Sequence, residues 1–168
     1  LETIMLTNLM FEVIGSTTYR IALGRIKHPA VRKLLTILAR DESFHVPLNV
    51  HFIRAMLRHR APSRWRMARL RGTYHAVFWL LIASAAASRP VAQKFDHISF
   101  RELARAYAEN LARLFLREED LRFSPPSLAL ALFRLRACTL LDGEDLLSAA
   151  AAEASADREN VLVTALAR

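Results

Sequence analysis

The run Leu34-Leu35-Thr36-Ile37-Leu38-Ala39-Arg40-Asp41-Glu42-Ser43-Phe44-His45 decides how the rest of the chain is read. Its apolar residues recur at spacings of three and four, the period of an amphipathic helix. It ends in Glu42 and His45, which stand three apart and therefore project from one helical face. Thirty residues upstream, Glu12 lies in a second apolar run, on the face that also carries Met5, Leu9, Ser16 and Tyr19. Gly24 and Pro29 bracket a turn between the two runs. Antiparallel partners equidistant from their turn sit at one height, and the midpoint of positions 12 and 42 is 27. The sequence thus places Glu12 opposite Glu42, with His45 beside them, inside an apolar helix pair.

Working outward, the spacing predicts helices over about 2–24, 29–59, 64–88, 99–120 and 127–141, and a final Ala-rich helix from Glu144. On the second helix Val31, Leu34, Leu35, Leu38, Glu42, His45 and Asn49 follow one inward stripe, and Pro47 predicts a kink because it removes the bond to the Ser43 carbonyl. Ser63 is placed to cap the third helix. The apolar part of that helix, Ala76 to Ala87, is too short for a bilayer, which needs roughly 20 residues. A buried core helix is expected instead. Leu103, Tyr107, Leu111 and Leu114 define the inward face of the fourth. Arg89-Pro90, Asp96 to Ser99, Ser124-Pro125-Pro126-Ser127 and Asp142-Gly143 are the expected breaks.

Four Gly, six Pro and 53% hydrophobic residues in 168 suit an all-α domain of ordinary size. A lone cysteine, Cys138, permits no internal disulfide and reads as core packing in a reducing, cytoplasmic setting, in line with the lack of a secretory signal pattern. Position 1 is Leu and the first run already carries Glu2 and Glu12, so the chain reads as opening in mid-helix, with upstream sequence expected.

The net charge of +8 is uneven. Residues 1–71 hold thirteen Lys/Arg against four acids, whereas residues 118–168 hold five against nine. Arg54, Arg58, Arg60, Arg64, Arg66, Arg69 and Arg71 make the front strongly basic. Such a surface suits an acidic protein or phosphate groups. Without aromatic interleaving or a nucleic-acid motif it does not argue for nucleic acid, and a solvated Arg-rich face is the plainer account.

Carboxylates and neutral imidazoles suit iron and manganese, and bridging glutamates hold two such ions close together. In ferritin-like two-metal bundles one Glu comes from each of two helices and a Glu-x-x-His from each of the other two. Here Phe11-Glu12, Tyr19 and the run ending Asp41-Glu42-Ser43-Phe44-His45 resemble the second metal-binding helix pair of the ferritin-like di-iron oxygenases. The Asp-Glu-x-x-His wording is similar to the soluble acyl carrier protein desaturases, and the Glu-to-Glu interval to the p-aminobenzoate N-oxygenase family. The resemblance covers about residues 5 to 57. It implies a ferritin-like bundle over 1–120 that lacks upstream helices, with a C-terminal helical extension over 121–168. It also implies Glu12, Glu42 and His45 as ligands of two iron ions, with manganese an alternative, and Asp41 as a residue that steadies a ligand. The implied activity is an oxygenase or oxidase that activates O₂ to oxidise an organic substrate, small or carrier-bound, with electrons from a separate donor. An acidic carrier protein would dock on Arg54, Arg58, Arg64, Arg66, Arg69 and Arg71.

Two departures qualify that expectation. The N-oxygenases carry an extra histidine one turn before the Glu-x-x-His glutamate, and this chain has Leu38 there. No second Glu-x-x-His occurs anywhere in the 168 residues. Missing upstream helices, substitute ligands from later residues, or a homodimer in the manner of a half-ferritin would each complete the site. A helical binding module without metal, using the basic surface, is the reading from another class. Ser16, one turn past Glu12, is the candidate catalytic hydroxyl, against the plainer role of a serine bonded back to its own helix. His75, in an apolar setting, and Glu102 with Glu109 are weaker ligand candidates, better explained as a core histidine and an ion-pair face.

Overall fold

The computed structural model describes residues 1–59, 62–87, 99–136 and 140. The expected Ala-rich helix from Glu144, the break at Asp142-Gly143, the stop at Arg89-Pro90, and Arg60, Asp96, His97 and Cys138 lie outside the described residues. Within them the protein is an all-α helical bundle of five helices: α1 Glu2–Leu23, α2 Pro29–His59, α3 Arg64–Ala87, α4 Phe100–Arg117 and the short α5 Ser127–Leu132. A 3-10 turn, Glu119–Leu121, follows α4.

Local chemistry sets the helix ends. Pro29 opens α2, where its fixed backbone angle suits a first helical residue. The Ser63 hydroxyl accepts from the Arg66 amide at 3.3 Å, and the Ser99 hydroxyl accepts from the Glu102 amide at 3.1 Å. The α1–α2 turn is closed by a side chain: Arg32 Nη1 donates to the Leu23 and Ile26 carbonyls at 2.6 and 2.9 Å. Arg122, in the left-handed region at φ 59°, ends the 3-10 turn, and its carbonyl accepts from Arg71 Nε and Nη2 at 3.1 and 2.8 Å.

Helix α1 is the hub. It packs on α2, α3 and α4, whereas the other substantial neighbour of α2 is the 3-10 turn. The core gathers Leu6, Leu9, Met10 and Val13 of α1, Val46, Val50 and Ile53 of α2, Tyr74 and Phe78 of α3, and Tyr107, Leu111 and Phe115 of α4. Phe78 stacks on Tyr107 with ring centroids 5.4 Å apart, and Tyr74 meets Phe115 edge-on at 5.1 Å. Burial pushes both phenols well above their usual range. A buried polar link joins α1 to α4, with Asn110 Nδ2 donating to Thr17 Oγ1 at 2.8 Å.

Several expectations change. Leu34 and Val31 are exposed on α2 and Leu35 and Leu38 are only half-buried, because among the described residues α1 is the one helix that packs extensively on it. The apolar part of α3 is buried on one side: Phe78 and Leu81 are buried, but Trp79 and Leu80 face outward, since among the described residues α1 and α4 cover one side. Helix α5 stops at Leu132, well short of 141, where Arg134 turns left-handed at φ 55°. As expected, Pro47 lies inside α2, which continues to His59. Among the described residues no helix is long and apolar enough to cross a membrane.

Candidate metal centre

Glu12 on α1 and Glu42 and His45 on α2 come together. One ligand atom from each lies within 4.8 Å of the others. His45 Nδ1 is 3.5 Å from Glu12 Oε2 and 3.8 Å from Glu42 Oε2, so both carboxylates stand on the same side of the ring. Two donors on one ion lie no further apart than about 4.2 Å, twice a bond of roughly 2.1 Å, and both separations fall inside that limit.

The register differs from the expected one. Asn8 pairs with Asn49, Glu12 with His45, and Gly15 with Glu42, each step along α1 matched by an equal step back along α2. Glu12 thus faces His45, and Glu42 faces the next turn of α1. The matched pairs are centred between residues 28 and 29, nearer to α2 than position 27, the midpoint of the two glutamates. Gly15 makes this offset tolerable: a Cβ there would lie 3.5 Å from Glu42 Oε1, so any longer side chain would occupy the carboxylate's space.

Electrostatically the site is unfinished. Glu42 Oε2 is buried, and it accepts no hydrogen bond. A buried carboxyl oxygen without a hydrogen bond is costly, and a cation held between these groups would supply that interaction. The donor set, two carboxylates and one imidazole nitrogen, fits iron or manganese. Below the site, Asn49 bridges the helices: it accepts from Asn8 Nδ2 at 3.2 Å, and its own Nδ2 donates to the His45 carbonyl at 3.0 Å. That bond steadies the backbone of the histidine next to Pro47. The two asparagines stand one turn from Glu12 and His45 on their respective helices, a spacing visible in the sequence.

The site is not enclosed by the helix pair. The side chains of Glu12 and Glu42 are 17% and 22% exposed and that of His45 48%, so the cluster sits at an open seam between α1 and α2. The Ser16 hydroxyl is buried and donates to the Val13 carbonyl of its own helix at 3.4 Å. Asp41 and His75 are exposed. Glu102 pairs with Arg25, and Glu109 with Arg113 at 2.8 Å, so the structure does not bring them to the cluster.

Much of the basic surface is already engaged within the chain. Arg54 binds Glu118 and Asp120, which keeps the guanidinium charged and holds the Asp120 carboxyl below its usual range, chiefly through the hydrogen bond between them. Arg66 Nε binds Glu2 at 2.6 Å, and Arg71 binds a backbone carbonyl. Arg64 and Arg69 are exposed, as is Arg58, which lies 3.7 Å from Asp120. Neither a family model, nor a curated protein, nor a solved structure matches the chain.

Proposed function

We propose that Glu12, Glu42 and His45 form half of a two-metal carboxylate centre, in a protein that uses iron or manganese to oxidise an organic substrate with O₂. The observation that carries this reading is the convergence of the three donor groups, one of which, Glu42, has a buried oxygen, Oε2, that accepts no hydrogen bond. A helix pair that needed only to pack would fill this position with an apolar side chain at lower cost.

When bound, the ions supply O₂ activation, and a separate donor supplies electrons. The chain's own residues would do the holding. His45 offers Nδ1 as a terminal nitrogen donor, Glu12 and Glu42 offer carboxylates that reach one or both ions, and Gly15 leaves the space in which Glu42 reorients. Ser16 stays a candidate for proton handling only if its hydroxyl leaves Val13. The ferritin-like bundle, a small or carrier-bound substrate, an electron-transfer partner and a cytoplasmic setting belong to the same proposal. Arg58, Arg64 and Arg69 are the arginines of the basic surface best placed to meet an acidic carrier, since Arg54, Arg66 and Arg71 are committed internally.

Elemental analysis tests the reading. The protein purified from cells supplied with iron and manganese is expected to carry one of them, and Glu42→Gln and His45→Ala are each expected to lose it. Protein free of both metals, or metal content unchanged in those variants, would sink the proposal. The half-ferritin alternative, an iron oxidase with no organic substrate, is favoured by the open seam. It predicts Fe(II) oxidation and mineral uptake by the protein alone.

A further inference from the structure

Helix α2 has two apolar stripes. One faces α1 and the core. The other consists of Leu34, Ile37, Phe44, Leu48 and Phe52, all exposed, at spacings that repeat close to every 3.5 residues. Ile4 and Phe11, seven apart on α1, add two further exposed apolar side chains. A solvated helix does not need a second stripe of this length. The stripe is also centred on the metal residues: Leu34 and Ile37 lie on one side of Glu42 and His45, and Leu48 and Phe52 on the other.

We propose that a second copy of this chain packs on this face about a two-fold axis through the metal cluster, so that each copy completes the other's site. This rests on the metal reading above. A two-fold axis brings one patch onto itself in reversed order. A stripe that extends evenly to both sides of the axis is what such an interface requires, because the Leu34 end of one copy then meets the Phe52 end of its partner. The chemistry closes as well. Each copy contributes two carboxylates and one imidazole, so two copies give four carboxylates and two imidazoles, and four negative charges match two divalent cations. Among the described residues one copy alone offers three donors to an ion and leaves His45 half exposed. The partner's stripe would exclude water from that side. This occupant needs no residue that the chain lacks.

The test reads mass and metal together. In the presence of Mn(II) or anaerobic Fe(II), light scattering is expected to give twice the 19.0 kDa chain mass, with two ions per dimer. The double variant Leu34→Glu/Leu48→Glu changes exposed positions that are not ligands. It is expected to be monomeric, to keep its helical circular dichroism and to lose at least tenfold in metal affinity. Trp65→Glu, at a position 86% exposed on α3, is the control that should stay dimeric. A wild-type chain that remains monomeric with metal bound overturns the proposal and leaves the metal reading standing. A dimer that takes up no metal overturns both. A double variant that stays dimeric with metal bound shows that copies meet elsewhere and overturns the placement.

Discussion

The two stripes of α2 are made of the same kinds of residue and end up in opposite environments. Ala39, Val46, Val50 and Ile53 are 2–6% exposed, whereas Leu34, Ile37, Phe44, Leu48 and Phe52 are 40–63% exposed. Hydropathy does not separate them. What separates them is the supply of neighbours: α1 and the 3-10 turn cover the first stripe, and among the described residues no helix covers the second. The Glu12, Glu42 and His45 cluster lies on the boundary between the two, with Glu42 toward the buried side and His45 toward the open one. A helix can therefore carry two apolar stripes of which the described part of the fold covers one.

The sharpest way to break this comparison is to truncate one residue from each stripe. Ile53→Ala removes a side chain that is 4% exposed within the main core and is expected to cost about 2–5 kcal/mol. Leu34→Ala, at 56% exposed, is expected to stay within about 0.5 kcal/mol for the metal-free chain. Urea denaturation of both variants measures the pair. Equal losses would mean that the outer stripe is buried in the free protein and that the contrast is false.

A second experiment works at the boundary itself. Glu42→Met replaces a carboxylate whose Oε2 is buried without a partner by an apolar chain of similar length. The metal-free protein is expected to gain about 1 kcal/mol while metal binding is abolished. Stabilisation together with loss of binding marks a residue kept for a ligand. Destabilisation would mean that the carboxylate has a structural role and would weaken the metal reading. Gly15 sharpens the same point. Gly15→Ala places its Cβ in ordinary contact with Glu42 and gains helix propensity of roughly 1 kcal/mol, with metal retained, whereas Gly15→Leu should displace the carboxylate and lose the metal.

The sequence made the helices legible because each carries a long 3.6-residue period and its ends carry Pro or Ser. The proximity of Glu12, Glu42 and His45 was legible because the three stand at similar heights on two adjacent antiparallel helices. The register was not, since it depends on the shape of the turn between Leu23 and Pro29, where Arg32 binds two carbonyls from the next helix. Nor was the split of α2 into two stripes, because positions 34 and 35 or 44 and 46 differ by a rotation that only the placement of α1 resolves. The commitment of Arg54 to Glu118 and Asp120 spans more than sixty residues and left no local pattern to read.

That last contact gives the smallest expected effect, and it concerns how the inner stripe is held. Arg54 sits beside Ile53 and ties α2 to the acidic end of α4 and the 3-10 turn, a tether for which the outer stripe has no counterpart among the described residues. The hydrogen bond from Arg54 lowers the folded-state value of Asp120 below its ordinary 3.8. A lowered carboxyl contributes stability that is fully present above the ordinary value and is lost as the pH falls through the folded one. The pair is substantially exposed, at 29% and 42%, so its contribution at neutral pH is expected to stay below about 1 kcal/mol and to shrink in high salt. Asp120→Asn should therefore lower stability slightly at pH 7 and narrow the gap between pH 7 and pH 3, as read from urea midpoints at the two values. Because Glu118 also holds Arg54, the variant should keep its fold and the inner stripe its burial. If the substitution instead released α2, the tether rather than the apolar stripe would be what fixes that helix in place, and the contrast between its two faces would have an electrostatic origin.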